Sequence, residues 1–83
     1  MLRVSVISPE RIVFEGETEG VVAPAFDGEV GILTGHAPMV TLLGKGELRL
    51  GQEGSARRFT IEGGFLEVSD DVVRIVTGTV SDG

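Results

Sequence analysis

The sequence predicts an all-β protein, a flattened β-sandwich or barrel of about 8 to 10 short, mostly antiparallel strands. The composition of 12 Val, 5 Ile and 6 Thr against 2 Met, with neither Trp nor Tyr, favours pleated strands over helices. The 13 glycines are scattered along the chain and divide any helical pattern into pieces too short to be stable. Turn signals recur throughout, so the 83 residues are expected to form one domain of two packed sheets, residues 1–83.

The amino-terminal part of the chain predicts two strands. Residues 2–6 alternate apolar and polar side chains, which is the pattern of a strand with one buried face, and the Ser-Pro-Glu sequence at residues 8–10 ends it. Residues 12–14 form a short second strand that Gly16 is expected to end.

An acidic stretch follows, in which Glu15, Glu17 and Glu19 alternate with other residues before an apolar run at residues 21–23. Charge on an exposed edge strand discourages edge-to-edge aggregation, so a solvated edge is favoured over a metal-binding or catalytic carboxylate cluster.

The middle of the chain predicts a hairpin, a loop and a further strand. A turn at residues 26–28 precedes a strand at residues 29–33, and the loop at residues 34–38 leads to a strand at residues 39–43. The Gly-Lys-Gly sequence at residues 44–46 is expected to turn the chain again.

The carboxy-terminal part predicts two hairpins. Residues 47–50 and 56–61 both alternate, and the sequence between them, residues 52–55, is a loop. After Gly63 and Gly64, residues that tolerate positive φ, come strands at residues 65–68 and 72–76 around a Ser-Asp-Asp turn. Residues 77–83 are expected to be a frayed tail.

Charge and composition bear on the partners and the cellular environment of the chain. The net charge of −6 and the pI near 4.5 disfavour nucleic acid and direct lipid insertion, because both attract clustered Lys and Arg. The chain has no cysteine, no apolar run of transmembrane length and no signal-peptide pattern, which indicates a cytosolic environment.

The residues give little support for catalysis or for a cofactor. With one histidine, His36, and no cysteine, neither a nucleophile with its base nor a transition-metal site is expected. Gly44 and Lys45 lack the preceding glycine and the following Ser or Thr of a phosphate-binding loop, so no nucleotide site is predicted. The remaining feature is residues 26–38, rich in glycine and carrying Glu29 and His36, for which a turn-rich hairpin and a binding role both remain open.

Residues 28–38 read Gly-Glu-Val-Gly-Ile-Leu-Thr-Gly-His-Ala-Pro, which resembles the signature Gly-Glu-x-Gly-Ile-x-Pro-Gly-His-Ala-Pro of the epsilon subunit of F-type ATP synthases. Further matches are Ser-Pro-Glu at residues 8–10, Phe14-x-Gly16, Gly46-x-x-Arg49 and Gly-Gly-Phe-Leu-Glu-Val at residues 63–68. The resemblance therefore covers almost the whole chain.

Two departures from the family pattern limit what can be carried over. Thr34 stands where the family usually has proline, which makes the loop entrance less rigid. The family commonly continues into two carboxy-terminal helices that restrain ATP hydrolysis, and the resemblance covers only its amino-terminal β-sandwich.

The resemblance implies a non-catalytic rotor subunit without a cofactor, on the cytoplasmic face of a bacterial membrane. The sandwich would link the gamma subunit to the polar loops of the c ring and so couple ion-driven rotation to ATP synthesis. It implies a c-ring contact at Gly28, Glu29 and Val30, where the Glu29 carboxylate meets a loop arginine. It implies a gamma contact at four residues: His36, Pro38, Met39 and Thr41.

Three alternatives are weighed against this interpretation. Met39 is as well suited to the core as to the interface. A free-standing binding or scaffold module is the alternative function, although such modules usually present aromatic platforms and this chain has only 4 Phe. An enzyme is the least favoured class, because no base and nucleophile form a pair.

Overall fold

The computed structural model describes residues 1–51 and 57–82, and all regular elements in this part of the chain are β-strands. The described strands are β1 (Leu2–Ile7), β2 (Ile12–Thr18), β3 (Gly20–Ala25), β4 (Gly28–Leu33), β5 (Met39–Leu42), β6 (Lys45–Leu50), β7 (Arg57–Glu62), β8 (Phe65–Ser69), β9 (Val72–Val76) and β10 (Thr79–Asp82). The predicted loop at residues 52–55 and the predicted strand residue Ala56 lie outside the described residues.

The strands form two five-stranded sheets. The first sheet has the order β2-β1-β9-β8-β5 and the second has the order β10-β7-β6-β3-β4. Neighbouring strands are antiparallel except for β1 and β9, which pair in parallel. The predicted fold class, an all-β sandwich of mostly antiparallel strands, is confirmed.

The core lies between the two sheets, where period-two alternation on each strand turns one set of side chains inward. Phe59 is the largest fully buried side chain. The buried apolar residues are Leu2, Val4, Val6, Leu66, Val68, Val73 and Ile75 from the first sheet, Val21, Ala23, Ile32, Leu48, Leu50, Phe59 and Ile61 from the second, and Leu43 between β5 and β6. Since both sheets contribute about equally, neither can keep its inner face out of water alone.

The prediction that Gly16 ends the second strand is wrong. Strand β2 runs to Thr18, and Gly16 lies opposite Val4 of β1. Pairing with β1 satisfies the backbone groups of this segment, and that outweighs the weak strand propensity of one glycine. As an outer strand of its sheet, β2 carries exposed Glu15 and Glu17, which confirms the solvated-edge interpretation.

The predicted turn at residues 44–46 is also wrong, because β6 begins at Lys45. At this point the chain crosses from the first sheet to the second instead of reversing within one sheet. The Leu43 amide donates to Gly64 O at 2.9 Å, and the Gly44 amide donates to Pro24 O at 2.8 Å. The crossing is therefore fixed to both sheets by successive backbone hydrogen bonds.

The predicted frayed tail is a strand over residues 79–82. Strand β10 pairs with β7 in a register that places Val80 opposite Ile61, and Val80 packs partly against the core. Thr77 is buried ahead of it, and its hydroxyl donates to Gly63 O at 2.8 Å. The sequence gives little signal for this strand, because four residues are too few to show a clear alternation. Its pairing partner, β7, also does not adjoin it in the sequence, so no hairpin pattern marks it.

Candidate functional site

The hairpin of β3 and β4 presents the predicted c-ring residues at one end of the sandwich. Its turn lies at Phe26 and Asp27, and Gly28 follows with φ of 133°, a conformation that favours glycine. Gly28 and Glu29 are exposed, whereas Val30 is half-buried and packs against the core. The turn thus projects Glu29 into solvent while Val30 fixes the strand that carries it.

Glu29 has a cationic neighbour within its own domain. Arg49 Nη2 donates to Glu29 Oε2 at 3.3 Å, and Arg49 Nε lies 3.8 Å from Glu47 Oε1. The Glu29 side chain is 63% exposed, so this ion pair is screened by water and contributes at most about 1 kcal/mol to stability. A second cation that approached the turn could compete for the Glu29 carboxylate at little cost.

The loop at residues 34–38 holds His36 in a defined position. Gly35 has φ of 88°, and the His36 amide donates to Leu33 O at 3.1 Å. His36 Nδ1 lies 2.7 Å from Ala37 O, and because a carbonyl oxygen only accepts, Nδ1 is the donor. In the neutral imidazole, this leaves Nε2 as the ring nitrogen that can accept a hydrogen bond from another group.

The same loop is tied to the turn between β8 and β9. The Gly35 amide donates to Asp71 Oδ1 at 2.7 Å. Asp70 and Asp71 both have positive φ, at 51° and 61°, as a two-residue hairpin turn with primed geometry requires. The His36 loop and this turn therefore form one end of the sandwich.

Glu29 and His36 lie near opposite ends of β4. Leu33, whose carbonyl accepts the His36 amide, lies four residues further along β4 than Glu29, a distance of roughly 13 Å. General acid–base chemistry requires its groups within hydrogen-bond reach of one reacting centre. The two residues do not form one chemical site, and the arrangement presents two separate contact points.

The two predicted gamma residues on strand β5, Met39 and Thr41, lie on its inward face. Met39 and Thr41 are half-buried, and Met39 packs against the core, while Pro38 in the preceding loop is exposed. Val40 and Leu42, which sequence reasoning missed, are 68% and 62% exposed. Every residue of this strand except Thr41 is apolar, so its sequence shows no alternation that could have indicated the outward face.

Within residues 1–51 and 57–82, no three His, Asp or Glu side chains are grouped closely enough to hold a metal ion. The same residues include no helix of the length and apolarity needed to span a bilayer.

Comparison with known proteins identifies the fold's family. The sequence model of the β-sandwich domain of the ATP synthase delta/epsilon chain matches residues 1–83. The chain belongs to this family. Among curated proteins, the ATP synthase epsilon chain of Leptospira borgpetersenii is 46% identical and that of Rhodopirellula baltica 44% identical, over 92% and 93% of this chain.

The family's solved structures support the same assignment. A chain in the cryo-EM structure of the Euglena gracilis mitochondrial ATP synthase, OSCP/F1/c-ring, is similar with a TM-score of 0.88 and 27% identity. The similarity covers 98% of the present chain and 52% of that one. The present chain likewise spans 60% of the length of the two bacterial epsilon chains.

Proposed function

We propose that this protein is a non-catalytic central-stalk subunit of an F1Fo ATP synthase that links the gamma subunit to the c ring. Family membership supports the assembly, and one geometric observation supports the linking role: Glu29 and the His36 loop lie near opposite ends of β4. An adaptor between two partners needs two separated contacts on a rigid element, and a strand of a packed sandwich is such an element.

The c-ring contact is proposed at the β3–β4 turn, with Gly28, Glu29 and Val30. The exposed Glu29 carboxylate is held near Arg49 and would pair with an arginine of a c-ring loop. Such a charge-assisted pair fixes register more than it adds affinity, which suits a contact that must transmit rotation without slipping.

The gamma contact is proposed at the other end, with His36, Pro38, Met39 and Thr41. His36 Nε2 is available as an acceptor, Pro38 is exposed, and Met39 and Thr41 lie on strand β5. This strand runs back toward the β3–β4 turn, where the Phe26 amide donates to Leu42 O at 3.0 Å, so Val40 is its outward residue nearer the His36 loop. Through these partners the subunit would lie peripherally on the cytoplasmic face of the membrane.

The Glu29→Lys substitution tests this proposal in the assembled ATP synthase. The number of ions pumped per ATP hydrolysed should fall several-fold, because two cations would then face each other at the c-ring contact. The free energy of unfolding should fall by no more than about 1 kcal/mol, since the exposed Glu29 side chain loses only a solvent-screened ion pair with Arg49.

Glu47→Lys is the matched control, because Glu47 also lies beside Arg49 but belongs to β6 and not to the β3–β4 hairpin. It should leave coupling within twofold of the wild type. Unchanged coupling in Glu29→Lys, or global unfolding of that variant, would count against the proposed c-ring contact.

A further inference from the structure

Arg49 lies on the outer face of the second sheet, between two acidic side chains. Its neighbours along β6, Leu48 and Leu50, are buried between the sheets, so the alternation of the strand turns Arg49 outward. Its Nη2 donates to Glu29 Oε2 at 3.3 Å, and its Nε lies 3.8 Å from Glu47 Oε1. Glu29 belongs to β4, two strands away in the sheet order, so the side chain of Arg49 crosses β3 to reach it.

The row of residues that Arg49 crosses is open at its far end. Strand register places Arg49 opposite Val22 of β3, and Val22 opposite Gly31 of β4. Gly31 has no positive φ, and a Cβ added to it would meet nothing within 4 Å, so the packing of this domain does not require glycine there. Its missing side chain leaves room on β4 beside Glu29, which lies two residues away on the same face.

The two members of the ion pair are held unequally. The Arg49 side chain is 36% exposed, and its Nε is buried without a hydrogen-bond partner among the described residues. The Glu29 side chain is 63% exposed and stands directly after the turn of a hairpin. Packing therefore fixes the arginine, and the arginine in turn restricts a glutamate whose χ angles would otherwise vary in solvent.

One oxygen of the Glu29 carboxylate remains open. Arg49 engages Oε2, and no group in residues 1–51 and 57–82 donates a hydrogen bond to Oε1. A carboxylate has about four lone-pair sites and can accept from two guanidinium groups at once. An arginine from a c-ring loop can therefore bind Oε1 without displacing Arg49.

We propose that Arg49 is a positioning residue for the c-ring contact, which holds Glu29 in one rotamer through Oε2 and leaves Oε1 for the ring. This inference rests on the proposed function and adds to it the residue that orients the contact. Preorganisation of this kind lowers the side-chain entropy that is lost when the contact forms. Rotation would then pass from a ring arginine through Glu29 to a second arginine that is anchored in the sheet.

Nuclear magnetic resonance of the 83-residue chain tests the positioning step. Three-bond couplings across the Cα–Cβ bond of Glu29 report the populations of its three χ1 rotamers. An exposed ion pair that favours one rotamer about fivefold brings it to about 70% occupancy, against about a third without the pair. Arg49→Met keeps an aliphatic stem and removes the charge, so it should lower the occupancy of the main rotamer to about a third.

Salt distinguishes an electrostatic effect from a steric one. In the wild type, about 1 M salt should also lower the occupancy of the main Glu29 rotamer, because the screening length is then only about 3 Å. The occupancy in Arg49→Met should not depend on salt, since the ion pair is absent.

Arg58→Met is the matched control. Arg58 lies opposite Arg49 on β7, on the same face of the sheet, and has no ion pair among the described residues. Its substitution removes the same charge and keeps the same stem, but leaves the pair of Arg49 with Glu29 intact. The main Glu29 rotamer should therefore keep its occupancy.

Gly31→Glu changes the site in the opposite way, because it retains Arg49 and adds a competing carboxylate to the row that Arg49 crosses. A Cβ fits at this position, so the variant should fold. If the new carboxylate takes the guanidinium, the main Glu29 rotamer should lose occupancy as it does in Arg49→Met.

Coupling in the assembled ATP synthase tests the functional step. Arg49→Met should lower the number of ions pumped per ATP hydrolysed by about three- to fivefold, near the limit of what an exposed ion pair contributes. Arg58→Met should stay within twofold of the wild type. Thermal unfolding of both variants should stay close to that of the wild type, because each keeps an aliphatic stem on the sheet.

The outcomes separate this inference from the proposed function. A Glu29 rotamer distribution that is the same in Arg49→Met and the wild type overturns the positioning role. Normal coupling in Arg49→Met, together with lost coupling in Glu29→Lys, also overturns it. Normal coupling in Glu29→Lys overturns the proposed c-ring contact itself, whatever the rotamers of Glu29.

Discussion

Gly63 and Gly64 occupy the junction at which three segments of the chain meet. Gly63 O accepts the Thr77 hydroxyl at 2.8 Å, Gly64 O accepts the Leu43 amide at 2.9 Å, and the Gly63 amide donates to Gly44 O at 3.1 Å. Both glycines have positive φ, at 74° and 105°. The junction therefore depends on backbone geometry that other residues adopt only under strain.

The two glycines should respond differently to alanine. A Cβ at Gly63 would meet nothing within 4 Å, whereas one at Gly64 would overlap the carbonyl oxygen of Val76 and lie 2.7 Å from Thr77 Cα. Gly63→Ala should cost about 1 to 2 kcal/mol, the usual penalty for an L-residue at positive φ. Gly64→Ala should cost at least about 2 kcal/mol more, because backbone must also move.

Urea unfolding at equilibrium measures both costs, and the control is the neighbouring position itself. Equal costs at the two positions would show that φ alone, and not the contact with β9, makes Gly64 necessary.

At the scale of whole elements, the sequence predicts strands best where alternation and turn chemistry agree. Strand β9 was predicted with its observed bounds, because residues 72–76, apolar except for Arg74, directly follow an Asp-Asp turn. Strand β5 was predicted within one residue, but its outward face was not, since the face is set by register with β8 and not by its own sequence. The candidate site could likewise be predicted only in part. The signature indicated Glu29 and His36, whereas the outward direction of Val40 and Leu42 follows from the pairing of β5 with β8.

The tie between the His36 loop and the β8–β9 turn gives a prediction at this scale. Asp71→Gly keeps a residue that accepts positive φ but removes the acceptor for the Gly35 amide. The Gly35 amide should then exchange with solvent about tenfold faster, as expected for loss of a hydrogen bond to a charged group worth about 1.4 kcal/mol.

Two variants control for changes of the turn itself. Asp71→Asn retains a side-chain oxygen and should preserve protection of Gly35. Asp70→Gly changes the neighbouring positive-φ residue and should also preserve it. Equal exchange in Asp71→Gly and the wild type would contradict the role of this tie in holding the loop.

At the scale of the whole molecule, the domain is small enough for a partner to contribute much of its stability. A chain of this length buries only about 60 to 65% of its unfolded surface, and its net stability is expected to be on the order of 5 kcal/mol. A partner that binds only the folded form adds to this value by mass action.

A free gamma-subunit concentration of 100 times the dissociation constant of the complex should therefore raise the free energy of unfolding by about 2.7 kcal/mol. The most slowly exchanging core amides should then exchange about 100-fold more slowly, which hydrogen exchange by mass spectrometry can measure. No slowing for the wild-type chain, with both proteins folded, would contradict the predicted complex.

The parallel pairing of β1 with β9 determines when the first sheet can be completed during synthesis. The register joins Arg3 to Val72, positions separated by about 70 residues, a contact of high sequence separation and therefore slow to form. Until β9 emerges from the ribosome, β1 can pair only with β2, and one edge of β1 stays open. The nascent chain thus carries an unpaired, aggregation-prone edge until β9 has been made, because the charged strand β2 covers only the other edge of β1.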